Sequence, residues 1–220
     1  NPFVVLLGKG DHQITSSWTE PYHGLAYSTT LGITRNNITF VGTGKDTTTV
    51  LGAVDIARNN LETPVENITF KQMTVSNTNG GGIFMRNAKV ELIDVALKGC
   101  GGPALFIPNF ASATTVVATR CEFANNSQNG AVVQGESTLA TFKNCVFHDN
   151  EQDGISAFNQ STIHLHGEAT TIHSNGRNGI WAHNEGNVLI HLPSHHNTFY
   201  NNDYSDRRTT NYGTITNVVD

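Results

Sequence analysis

The chain has 220 residues, a formal net charge of -5 and only 14% charged residues. A negative chain without a clustered Lys/Arg run argues against binding to nucleic acid through its phosphates, and no stretch is apolar for long enough to span a bilayer as a helix. This length suits one domain around a continuous core, and 21 glycines among few charges suit turns and flat sheets better than helices.

Residues 1–36 follow no period. Val4 to Leu7 reads as a strand, and Trp18, Tyr22 and Tyr27 put large rings among polar neighbours, as expected of an N-terminal cap packed over the open end of a stack. From Asn37 to Asn202 the sequence repeats itself. Cys121 to Val133, Cys145 to Ala157 and Thr170 to Ala182 align so that Phe123, Phe147 and Ile172 coincide, as do Gly130, Gly154 and Gly179, with steps of 24 and 25 residues. Such a period signals stacked units, none of which can bury its apolar face alone.

Within a unit the apolar residues alternate, which is the period of strands. Cys145 and Phe147, Ile155 and Ala157, and Leu139 and Thr141 form the expected inward set. Five steps have the same length of eight residues: Val75 to Ile83, Leu97 to Leu105, Phe123 to Ala131, Phe147 to Ile155 and Ile172 to Ile180. A constant step means a turn of constant length. Asn87, Asn109, Asn159 and Asn184, with Gly135 between, hold another turn position, where a left-handed backbone is tolerated. Three short strands per unit predict a single all-β domain, a parallel β-helix of about seven rungs over residues 37–202. Residues 203–220 break the pattern and read as a C-terminal cap or an extension, whose end could join a larger assembly.

The aligned Asn-x-x-x-Gly-Ile segments, such as Asn175 to Ile180, resemble the repeats of the pectin-lyase-like superfamily, including the mannuronan C5-epimerases. That resemblance implies a right-handed β-helix. It leaves function open, because this fold carries lyases, hydrolases, epimerases and phage tailspikes. The Tyr-Gly-x-Asp-Pro-His signature of the epimerases is absent, and so are the paired aspartates and Gly-His-Gly of polygalacturonase-like hydrolases.

In a β-helix the inward positions are core, so function falls on the outward side of a sheet. The Gly-Ile strands offer one outward column of Phe84, Phe106, Val132, Ser156 and Trp181, and a second of Arg86, Pro108, Gln134, Phe158 and His183. Trp181, Phe158, Phe106 and Phe84 would form an aromatic row able to stack on sugar rings, with His183 supplying a hydrogen bond. This predicts a non-catalytic module that binds a polysaccharide. Were the chain a uronate lyase or epimerase, as the resemblance allows, His183, Asp153 and Arg177 are the groups available as base and charge stabiliser. A structural spike or capsid-associated solenoid is the third reading.

Asp149, Glu151 and Asp153 loosely echo a calcium loop but lack its closing Glu, so a solvated turn and no cofactor are expected. His148 and His173 fall in one column with Tyr200 above, and His166 and His191 in another with Phe142 below. Both read as surface ladders, not metal sites. Cys121 and Cys145 occupy one inward position of adjacent rungs and are expected to be buried thiols. Four Asn-x-Ser/Thr sequons, at Asn37, Asn67, Asn125 and Asn159, favour an extracellular or surface-exposed location, on a cell wall or a virion.

Overall fold

The computed structural model describes residues 2–19, 24–57, 63–110, 113–191, 193 and 198–219. Each strand of the coil lies parallel to the strand one turn above it, as in Thr138–Lys143 on Thr114–Thr119 or Ile155–Phe158 on Ala131–Gln134. Three faces result. The first includes Thr162–His166 and Asn187–His191, the second Val146–His148 and Thr171–His173, and the third Ile155–Phe158 and Asn178–His183. In the earlier coils, Val65–Ser76 and Ala88–Lys98 run through the first two faces without a break. No helix occurs among the described residues.

The predicted internal stack is present. Phe123 and Phe147 lie 4.5 Å apart with rings 4° from parallel, Phe147 is in register with Ile172, and all three are fully buried. Phe142 fills the space beside them, edge-on to both rings. Both ends of every eight-residue step are buried as well. Each of these side chains larger than alanine contributes on the order of 1.5–3 kcal/mol by leaving water.

On the first face the expected phase is one residue out. Ala140 and Phe142 point inward and are fully buried, while Leu139 is 36% exposed. Along a strand such a slip exchanges the two sides completely. Phe142 therefore belongs to the core, and the residue in register below His166 is Lys143.

The end segments set apart in the sequence also enter the stack. Phe3–Leu6 pairs with Ile38–Val41, Gly10–Gln13 with Thr48–Leu51, and Thr30–Ile33 with Ala53–Ile56. At the other end Ser205–Thr210 pairs with Asn178–His183, and Thr214–Val218 with Asn187–His191. The short hairpin Trp18–Thr19 with Ala26–Tyr27 projects from the first coil. Trp18 lies against Gly32, where an added Cβ would collide with the indole, and its Nε1 donates to Asp55. Tyr22 and most of the loop expected from Asn59 to Pro64 lie outside the described residues.

Corners hold the coil length constant. Asp94, Arg120 and Asn144 turn from the first face to the second, Asn125, Asp149 and Ser174 from the second to the third, and Asn87, Asn159 and Asn184 back again, all with positive φ. Gly135 takes its expected place with φ 102°. Asn109, predicted for the same column, is not among the left-handed residues.

Inside the second corner runs a buried ladder. The Asn126 side chain donates to Asn150 Oδ1 at 2.8 Å, Asn150 to Asn175 at 2.9 Å, and Asn175 to Asn202 at 2.9 Å. Each amide also donates to a carbonyl of the rung below, those of Leu97, Phe123, Phe147 and Ile172. Asn126, Asn150 and Asn175 are the asparagines of the Asn-x-x-x-Gly pattern, and the glycine is needed four residues on. A Cβ on Gly154 would come within 2.8 Å of the Gly179 carbonyl and of Ile172.

Replacing Asn150 by Ala strips both neighbours of a partner at a buried position. Denaturant unfolding should show a loss of about 1–3 kcal/mol for Asn150→Ala, against near-zero change for an exposed corner residue such as Glu151.

All three cysteines are free and buried. Cys145 and Cys121 sit one coil apart, each donating to backbone carbonyls. Burial pushes the Cys100 thiol up to about 11 and that of Cys145 well above its usual value. Thiolate is the reactive form. With each of the three residues at most 1% exposed, a disulfide thiol reagent at neutral pH is expected to label none of them until denaturant is added.

Candidate ligand groove on the third face

The outward side of the third face is a trough along the solenoid axis. In register down one column stand Asp55, Phe84, Phe106, Val132, Ser156, Trp181 and Arg208. The next column runs Gln134, Phe158, His183 and Thr210. The first predicted column and the Gln134, Phe158 and His183 part of the second are thus in register, but their rings do not form a flat row. Phe84 meets Phe106 at 5.2 Å and Phe158 meets Trp181 at 5.1 Å, both edge-to-face. Between these two pairs Val132 and Ser156 are buried and form a floor.

Two cavities follow this line, of about 480 and 350 Å³. Pro103 and Phe106 line both, so the two are compartments of one groove. The upstream compartment is walled by Tyr27 of the hairpin and by Phe84. The downstream one is walled by Phe158 and Trp181, with Gln128, Gln134 and Gln152 as polar lining.

Trp181 and Phe158 are half-buried and face outward, as expected. The Trp181 Nε1 donates to Thr210 Oγ1 at 2.9 Å, and His183 Nδ1 shares the same hydroxyl at 2.7 Å. This brings Trp181, His183 and Phe158 into one cluster, with the Arg208 guanidinium 5.7 Å from the indole. Arg86, counted in the outward column, is buried against Asp55 at 3.1 Å with its guanidinium over the Phe84 ring. A charge expelled from water needs such a partner.

Asp153 is 1% exposed and lines the downstream compartment. Its Oδ2 accepts from Asn129 and Ser156, and its Oδ1 from the backbone and side chain of Asn178. Four donors hold this carboxylate in place between coils. Arg177 is exposed, and among the described residues no hydrogen bond or ion pair joins it to Asp153 or His183. Nor does Asp153 turn toward Asp149, which bonds His148 Nδ1 at 2.6 Å, so the carboxylates of that turn do not converge as a calcium loop would.

The sequence missed the contributions of the two ends. Tyr27, Asp55, Thr210 and Arg208 line or brace the groove, yet they lie outside the repeats or where the apolar alternation is broken by charge. The signal available was positional: Arg208 follows Trp181 by 27 residues, one coil.

The histidine column on the second face is as predicted. His148 stacks on His173 at 5.1 Å and His173 on Tyr200 at 4.6 Å. Burial, and then the nearby His148, hold the His173 pKa below its usual value, with Asp149 opposing. A depressed histidine favours folding above its unfolded pKa of about 6.5 and withdraws that support as pH falls through the folded value. The unfolding midpoint should therefore drop on acidification below about pH 6.5, and His173→Gln should flatten that part of the profile.

A family model described as a right handed beta helix region matches residues 24–203. The chain belongs to this right-handed β-helix family. Among solved structures, Geobacillus virus E2 ORF18 superposes on 98% of this β-helix with a TM-score of 0.52 at 10% identity, which shows a shared fold. This chain spans about half of that viral protein, 52% of its length. The A-modules of the Azotobacter vinelandii mannuronan C-5 epimerases AlgE4 and AlgE6 match all of this chain and 89% and 90% of their own, at 11% and 10% identity and TM-scores of 0.33 and 0.28. No curated protein sequence gives a significant match.

Proposed function

We propose that this β-helix is an extracellular or surface module that holds a polysaccharide along the third-face groove without altering it. The observation that carries this reading is the continuity of the two compartments through Pro103 and Phe106. A cleft that runs along the axis past several coils fits a linear polymer better than a compact metabolite. Aromatic walls offer apolar faces to sugar rings, and the glutamine lining offers paired donors and acceptors to hydroxyls.

The charges refine the ligand class. Arg86 is neutralised by Asp55, and Asp153 brings a carboxylate to the downstream wall. A polyuronate would meet that carboxylate, offset by its four donors and by Arg208 beside Trp181, whereas an uncharged glycan would meet no charge repulsion at all. Proton abstraction would require Asp153 to give up the donors that fix it.

Retention on insoluble neutral glucans and mannans, compared with alginate and pectate, tests this reading. Trp181→Ala should weaken retention on the preferred glycan by about tenfold or more, the usual cost of removing a central aromatic anchor. Equal retention of both forms would retire the groove as the binding site, and growth of unsaturated-uronate absorbance on alginate or pectate would retire the non-catalytic reading.

A further inference from the structure

Three histidines converge on the first face, on the side of the solenoid away from the groove residues. His164 and His166 lie two residues apart on Thr162–His166, and His191 ends the strand Asn187–His191 of the next coil. Their phase is locked from inside. Ile163, Leu165, Val188 and Ile190 are buried in the core, which forces the intervening imidazoles outward. The rings of His164 and His166 lie 4.9 and 4.1 Å from that of His191, all within 16° of parallel. His164 Nδ1 is 2.7 Å from His191 Nε2, and one ring nitrogen from each of the three lies within 4.8 Å of the others.

We propose that these side chains form a divalent transition-metal site of the zinc class, joining two successive coils. Nitrogens about 2.0–2.1 Å from a tetrahedral zinc stand about 3.3 Å from one another. The observed spread brackets that value, and the near-parallel rings would have to turn about their side-chain bonds until each in-plane lone pair meets the ion, with both strands staying fixed. An all-imidazole donor set selects zinc, cobalt, nickel or copper over calcium and magnesium, which require oxygens. His191 is only 8% exposed, which shields the ion from bulk water on one side. Among the described residues three side chains supply ligands, and a tetrahedral zinc takes four.

This site differs from the His148–His173 column, which pairs two imidazoles instead of three and sets Asp149 and Glu122 against His148. That column supplies a built-in control.

The metal-stripped chain should be titrated with Zn²⁺ against a chromogenic zinc chelator, and with Co²⁺ while the visible spectrum is recorded. One equivalent should bind, with a cobalt spectrum of low coordination number and a higher unfolding midpoint that EDTA reverses. His164→Gln should weaken binding by at least about tenfold by removing one of three ligands, and His173→Gln should leave it unchanged. His164 is half-exposed, so its variant is expected to fold, as circular dichroism would verify, and it carries the test even if His191→Gln does not fold. Zinc affinity equal in folded His164→Gln and native chain overturns the proposal, as does the absence of saturable uptake at micromolar zinc.

Discussion

A coil can stack on the one beneath only if each corner falls at the same height and angle, and here that requirement is met by residues that accept a left-handed backbone. Asn87, Asn159 and Asn184 close one corner, Asn125, Asp149 and Ser174 another, and Asp94, Arg120 and Asn144 the third. At the second of these the Asn126–Asn150–Asn175–Asn202 ladder ties each turn to the next through the core side. Phenylalanines then stack because the corners have already aligned them. A single coil would have nothing to bury its rings against, so stability accrues with each added turn, as in other repeat architectures.

The same alignment makes the groove. Side chains a full coil apart become neighbours about 4.8 Å apart along the axis, so two edge-to-face aromatic pairs and the floor between them arise from residues far apart in the chain. Buried polar groups beside the groove serve as braces. Asp153 joins Asn129 below to Asn178 above, and the Asp55–Arg86 pair joins two coils while tethering Trp18 of the hairpin. The walls are stiff because the scaffold behind them is cross-linked at each level.

Much of this could be read from the chain. The eight-residue step and the Phe123, Phe147, Ile172 alignment locate the second and third faces, since there the inward residues are large and apolar. On the first face the signal was weaker: Leu139 is apolar yet exposed, and Ala140 is small yet buried, so alternation alone chose the wrong phase. That slip set Phe142 beneath His166 and hid His164 from the histidine cluster. Arg86 was misplaced for another reason, because its buried partner, Asp55, sits in an earlier coil where the repeat is irregular. The end coils were missed because polar strands such as Ser205–Thr210 carry little periodic signal and are held by pairing with the coil before them.

The asparagine ladder has a direction. Every Oδ1 along it accepts a backbone N–H from the coil below, those of Cys100, Asn126, Asn150 and Asn175, so the oxygen faces down and one hydrogen of the NH₂ points up, the other holding a carbonyl of the rung below. The amide dipoles therefore add head to tail, as peptide groups do in an α-helix. At the upper terminus the Asn202 amide donates to the Asp206 carboxylate at 2.8 Å, a negative charge facing the positive pole of the column. The solenoid thus has an electrical polarity as well as a chain direction, and an anion sits where that polarity favours one.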